Sequence, residues 1–535
     1  MTGRLYGILL IIALAVSLVV PLAGCGGQKE KGTQAENTYT VADATGDWGF
    51  PSPYAHYFRG PGYIRMSLIF DTLLWKNEKE YIPALAKSWE YNAGENSYTF
   101  SLVENATWHD GSKFTARDVV FTIDYTKMHP YQGVSAGVVK KAEALGDYRV
   151  KMYLDRPYAP FLEYIGGTLP ILPEHIWKDV GSPEKFQQEK ALVGTGPFIL
   201  EDYSKEQGSY LYRANREYYQ GKPAVDRIRF VKMGSQVMAA ALRQKQASAA
   251  QVPPELGGAL DEEGFFILAG KHDWVAKLMI NHQREPLNKK EFRQALAFAI
   301  DRQALVGTCL RGHGLPGSPG LIPPDSPWYN AAVENQYPHS PERAALLIKG
   351  LGYEKKGNFF EKNGRALELE LLVSGGGQGS PGAPGDREGE MIKGQLEKVG
   401  LKVSLRSLES KTLDSRVAEG QYDIALGGHG GLGGDPEMLN RMILDKGFNS
   451  ARYQDSQELN LALKQQLTLM DRESRRELVG KVQEIYAREM PALPLYYPTW
   501  YWAHDGRAPL YYTLQGVGSG VPIPLNKMAF VNQND

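Results

Sequence analysis

Cysteine is nearly absent: Cys25 and Cys309 are the only two thiols in 535 residues. A disulfide framework and a cysteine-rich zinc site are therefore excluded. No sign of charge is in excess, with 60 Lys and Arg against 61 Asp and Glu, a net of -1. That balance argues against a nucleic-acid partner, which would need a basic patch or stripe. Beyond the first residues no apolar run is long enough to span a bilayer. The ten histidines stand singly, at 56, 109, 129, 175, 272, 282, 313, 339, 429 and 504. None has close ligand spacing, so neither a protein-only metal site nor a cofactor is expected. No H-E-x-x-H or P-loop lysine motif occurs, and no repeat of fixed period.

What is present is the composition of a soluble globular protein, 42% hydrophobic and 23% charged. The length corresponds to about three domains' worth of chain. The 58 glycines and 32 prolines imply many turns.

The first residues read as an address. Arg4 precedes the apolar stretch Leu9 to Val20, too short for a confident spanning helix but suited to a signal peptide. Leu22-Ala23-Gly24-Cys25 then resembles a bacterial lipobox, in which the cysteine thiol takes a diacylglyceryl group and becomes the new N-terminus. Two acyl chains suffice for stable anchoring, at about 0.8 kcal/mol per buried CH2. An ordinary secretory signal with a chance cysteine is the competing reading. Residues 26–37 are polar and glycine-bearing, a flexible tether.

The body reads as mixed α/β. Thr38 to Ala42 is a first strand. Trp89 to Tyr91 and Tyr98 to Leu102 alternate as a hairpin across Asn92 to Asn96. Thr115 with Asp118 gives a capping-box pattern, and Asn288 with Glu291 repeats it. Ser340-Pro341 opens a helix that Gly350 closes. From 366 to 428 the pattern runs strand (366–373), helix (387–399), strand (401–408), helix (413–419), strand (422–426). Such alternation implies right-handed crossovers and a parallel sheet. Ligands of such sheets sit beyond the carboxyl ends of the strands. Two glycine-rich loops fall there, at 374–385 and 427–434.

Three motif matches are weighed for catalysis. Gly133 to Gly137 fits G-x-S-x-G around Ser135, but it follows a helix rather than a strand and reads as a loop; a secreted serine hydrolase using Ser135 is the remote alternative. Gly312 to Gly317 fits G-x-G-x-x-G, but its prolines oppose a helix start. Gly428 to Gly433 fits the same pattern between a strand and a helix, yet no acidic ribose contact follows at the right distance. There the glycines imply that the backbone approaches something closely. His429 lies in that loop, as a solvated or packed histidine or as a ligand. Tyr496, Tyr497, Trp500, Tyr501 and Trp502 form an aromatic cluster that reads equally as core strand or as pocket wall.

Several segments, in order along the chain, resemble the family 5 extracellular solute-binding proteins of bacterial ABC importers, the oligopeptide-, dipeptide- and nickel-binding group. They are Ile82 to Trp89, Tyr98 to Leu102, Trp108 to Val119, Gly194 to Phe198 and Asn215 to Pro223. Phe292 to Arg302, Pro323-Pro324, Ala344 to Tyr353, Tyr422 to Leu426 and Asp435-Pro436 complete the set. The resemblance implies an α/β, two-lobed, periplasmic-binding-protein-like (type II) fold with an extra subdomain on the first lobe. It implies lobe one at 38–66, 190–272 and 498–535, the subdomain at 67–189 and lobe two at 273–497. The inter-lobe crossings then fall near 272 and 497. It further implies a receptor rather than an enzyme, closing on solute and handing it to membrane permease subunits. Such a receptor is expected to be a monomer, lipid-anchored through Cys25 on the extracytoplasmic face of the membrane.

The expected substrate contacts are Trp48, His429, Leu432, Asp435, Tyr497, Trp500 and Trp502. Peptide receptors of the family commonly carry an aspartate four residues before the Pro of Asp-Pro, pairing with the peptide ammonium. That position is Leu432 here, and Asp435 is the nearby acid that could replace it. Nickel-chelate receptors often carry a histidine just after the Pro, where this chain has Glu437. Peptide is the first expectation for the ligand; a metal chelate or small sugar is the alternative.

Overall fold

In the computed structural model, the described residues are 37–57, 60–131, 134, 136–375, 384–447, 449–514 and 523–531. Cys25, Ser135 and most of the 374–385 loop fall outside them.

Two large sheets organise the chain. The first has seven strands in the order 266–269, 501–504, 249–252, 38–43, 227–232, 209–214 and 198–204. Its strand Thr38–Asp43 pairs in parallel with both neighbours, Arg227–Lys232 and Ala249–Val252. The second has six strands, in the order 314–316, 492–498, 275–280, 424–429, 368–374 and 402–408. A separate four-stranded antiparallel sheet, 86–92, 97–102, 149–154 and 139–144, contains the expected hairpin, with Tyr91 opposite Tyr98. Each sheet has its own core: Val41, Tyr212 and Phe230 for the first, Leu278, Leu371 and Ile392 for the second, Phe100, Val119 and Val150 for the third.

The alternating stretch folds as its pattern implies. Glu368–Ser374 pairs in parallel with Lys402–Leu408 and with Ile424–His429. Helix Asp386–Val399 fills the first crossover and Ser410–Ala418 the second. The first ends on Gly400, whose φ of 117° is a left-handed cap that costs a glycine little. Ser340 caps helix Pro341–Gly350 by accepting from the Arg343 N–H at 3.3 Å. The Thr115 N–H donates to Asp118 at 2.8 Å, as the capping pattern requires.

Asn288 does not act as a cap. A turn, closed by the Lys289 N–H on the Pro286 carbonyl at 2.9 Å, carries the chain past it, and helix Lys290–Ala299 starts with Lys289 at its N-cap. The loop expected at 427–434 also begins later, because Gly427 and Gly428 belong to strand Ile424–His429.

Buried ion pairs tie together segments that are distant in sequence. Lys527, fully buried, pairs with Asp71 and also donates to the Phe70 carbonyl at 3.1 Å. Lys76 and Glu163 pair at 2.6 Å, and the Tyr81 hydroxyl donates to the same carboxylate at 2.9 Å. Removing one member of such a pair costs about 3–5 kcal/mol, because it strands the other charge away from water.

Candidate ligand cleft

Parallel strands end on the same side, and their carboxyl ends define where a ligand can sit. In the first sheet these ends are Asp43, Lys232 and Val252; in the second they are Ser374, Leu408 and His429. The chain passes between the two sheets twice, between Ala269 and Val275 and again between Pro498 and Tyr501. The two crossings are bonded to each other. The Gly270 N–H donates to the Trp500 carbonyl at 2.8 Å, and His272 Nε2 lies 2.8 Å from Thr499 Oγ1. The other ring nitrogen of His272 lies 3.0 Å from Asp325.

Among the described residues, the bodies also touch away from the crossings. Glu255, after a first-sheet strand, pairs with Arg311, beside the second sheet. From the four-stranded body, the Ala159 N–H donates to the Leu467 carbonyl at 2.8 Å, and the Arg441 guanidinium lies 4.7 Å over the buried Tyr164 ring. Arg441 is itself held by Glu437 at 2.8 Å.

The residues singled out in the sequence are distributed unequally. Trp48 is half-buried just beyond the end of strand Thr38–Asp43, its Nε1 donating to Asp43 at 2.8 Å. Asp43 also pairs with the buried Arg65 at 2.5 Å. His429 ends its strand, half-buried, with Nδ1 against the Gly430 carbonyl. Trp500 is half-buried at the second crossing, its ring 6.3 Å from that of Trp274. Trp502 is half-buried and packs on the first core.

Three residues lie in the second body's interior. Tyr497 is fully buried; its hydroxyl donates to the Leu321 carbonyl at 2.8 Å and accepts from the Ser318 N–H at 3.1 Å. All seven residues of Ala492–Pro498 are buried, so neither face of this strand is a pocket wall. Leu432 is 4% exposed and packs with Val275, Met438 and Ala425. Asp435 holds Arg475 through both oxygens, at 2.6 and 2.8 Å, and accepts the Glu437 N–H at 2.8 Å. Its charge is met inside the protein, so it is not a spare partner for a ligand ammonium.

Sequence reasoning missed Asp273, Trp274 and Tyr512. The Trp274 indole lies where a Cβ on Gly428 would be, 1.8 Å from its nearest atom. This is the close approach that the glycines implied. The Leu432 N–H donates to the Asp273 carbonyl at 3.0 Å, tying the first crossing to the glycine-rich loop. Asp273 itself is 4% exposed, and burial, then the nearby Asp325, pushes its carboxyl up to about 8. The signal available was a charged residue beside a tryptophan directly before the apolar run 275–280. Among the described residues, no group of His, Cys, Asp and Glu is arranged to hold a metal ion.

Two α/β bodies joined by two bonded crossings, with strand ends at the junction, define a solute-binding architecture. The family model of bacterial extracellular solute-binding proteins, family 5 Middle, matches residues 80–451. The chain belongs to this family. It is 27% identical over 454 residues to the dipeptide-binding protein of Escherichia coli (strain K12), covering 78% of this chain and 81% of that one. It is 27% identical over 509 residues to heme-binding protein A of Haemophilus influenzae, covering 88% of each. NikZ from Campylobacter jejuni, solved in complex with Ni(L-His), superposes with a TM-score of 0.75 at 23% identity, covering 88% of this chain and 95% of NikZ. The fold is thus the two-lobed type II periplasmic-binding-protein fold with an extra subdomain, and the chain is a binding receptor, not an enzyme.

Proposed function

We propose that this receptor captures a peptide between its two lobes, closes on it by hinge motion at 270–274 and 499–500, and delivers it to an ABC permease. The observation that carries the reading is the pair of crossings. Two short segments joined by Gly270–Trp500 and His272–Thr499 bonds leave rotation about that line as the soft motion. Closure then removes the solute from water, and the permease recognises the closed surface. The E. coli and Pseudomonas aeruginosa relatives named as dipeptide- or di/tripeptide-binding support peptide as the ligand class. The lipobox-like Leu22 to Cys25 supports attachment to the outer face of the cell membrane.

Native mass spectrometry of the purified protein, with elemental analysis of the same sample, tests the ligand. Heterogeneous adducts of peptide mass are expected. A single adduct carrying nickel or iron would replace the peptide reading by a chelate one. Incorporation of labelled fatty acid that is lost in Cys25→Ala is expected for the anchor; equal labelling of both proteins would overturn it.

A further inference from the structure

Asp273 and Tyr512 meet at the hinge with chemistry left over. Asp273 is 4% exposed, its backbone is engaged with Lys271 and Leu432, and its Oδ2 is buried with no hydrogen-bond partner. The Tyr512 hydroxyl is also buried without a partner. It lies 2.9 Å from where a Cβ on Gly270 would be, on the same crossing, within electrostatic reach of Asp273. Both groups cost free energy as they stand, since a buried acceptor or hydroxyl without a partner forfeits its hydration. Such groups in a native structure point to something that satisfies them.

The surroundings define what that is. The charged side chain that acts on Asp273 is another acid, Asp325. His272 is committed to Asp325 and Thr499. Lys271, on the same crossing, is exposed. The indoles of Trp274 and Trp500 stand 6.3 Å apart on that crossing and the next. An acid without a cation, a phenol without a partner and two indoles complement a positively charged N–H donor, which gains hydrogen bonds, a counter-charge and cation–π attraction together.

We infer that Asp273, with Tyr512, forms an ammonium-binding subsite at the hinge, flanked by Trp274 and Trp500, and that the captured solute presents a charged amine there. The inference rests on the receptor reading above and names the ligand group that it must recognise. The carboxyl is held up to about 8 by burial and by Asp325. A bound cation reverses that, so binding near pH 7 releases a proton.

The test uses the full chain in mild detergent, as wild type, Asp273→Asn and Tyr512→Phe, with two probes. One is a pool of short peptides with free or acetylated amines; the other is phenethylammonium against its uncharged N-acetyl form. Calorimetry in two buffers of different ionisation enthalpy reads affinity and protons together. Wild type is expected to prefer the free amines and to release protons on binding. Asp273→Asn should weaken free-amine binding about tenfold or more, abolish proton release and leave the acetylated probes unchanged. Asn keeps the shape of the side chain, and its melting curve confirms folding. Equal binding and proton release in wild type and Asp273→Asn would overturn the inference. If phenethylammonium binding depends on Asp273 but no peptide binds, the subsite stands and the peptide reading fails. If peptides bind both proteins equally, the peptide reading stands and the subsite fails.

Discussion

Lys277 is 1% exposed in strand Val275–Ile280, and its Nζ donates to the Asn449 carbonyl at 2.5 Å. Burial alone brings its ammonium down to about 7. The unfolded chain therefore binds more protons than the folded one between about pH 7 and pH 10, and stability rises with pH across that window. Below about pH 7 the penalty is fully present. Lys277→Met is expected to raise the melting temperature at pH 6–7, by a gain on the order of a few kcal/mol, and to add little near pH 10. Asp273 works in the opposite sense. Its folded carboxyl is raised, so the empty receptor loses stability as pH climbs from about 4 to about 8. Asp273→Asn should flatten that decline in thermal melts taken across the range. Asp435 is a different case, since Arg475 meets both of its oxygens in the interior. Asp435→Ala should cost about 3–5 kcal/mol in urea unfolding, with Arg475 left uncompensated.

At the scale of elements, the glycine at 428 couples a strand to the hinge. A methyl there would overlap the Trp274 ring, a rigid neighbour, and either the strand or the indole must move. Gly428→Ala is expected to destabilise by about 1–3 kcal/mol and to weaken ligand binding. Combining it with Trp274→Ala should recover most of the Gly428→Ala loss, and strict additivity of the two melting shifts would refute the coupling. The parallel 368–429 unit was legible because its first two strands alternate apolar and polar residues, its helices carry helical spacing, and the strand-helix-strand order admits one handedness. Strand Ala492–Pro498 was legible as a strand but not as a two-faced one. Its burial on both sides comes from helix and loop layers contributed by distant sequence. The Asn288 cap was misplaced because a local turn, which no side-chain pattern announces, delays the helix start.

For the whole molecule, the contacts between lobes set how far closure is favoured. Glu255 and Arg311 form an exposed pair, 40% and 66% accessible, so the interaction contributes about 1 kcal/mol or less. Glu255→Arg should shift the unliganded receptor toward a more open average, seen as a larger radius of gyration in small-angle scattering at low salt. The double swap with Arg311→Glu should restore it, and the difference should fade at high ionic strength. The Ala159–Leu467 bond and the Arg441–Tyr164 stack are more buried and should resist salt.

The sequence by itself determined the α/β class, the parallel unit, the absence of a catalytic or metal motif among the patterns sought, and the family. Each of these rests on local spacing or on ordered short segments, which one chain carries without folding. The tertiary structure decided which polar side chains are already engaged inside the protein and which are not. Asp435 and Tyr497 look available in the sequence, yet Arg475, Leu321 and Ser318 occupy them. Asp273 and Tyr512, 239 positions apart by number, look unremarked and are left unsatisfied at one hinge. Whether a polar group is free depends on every element packed around it, and that sum exists only once the chain has closed on itself.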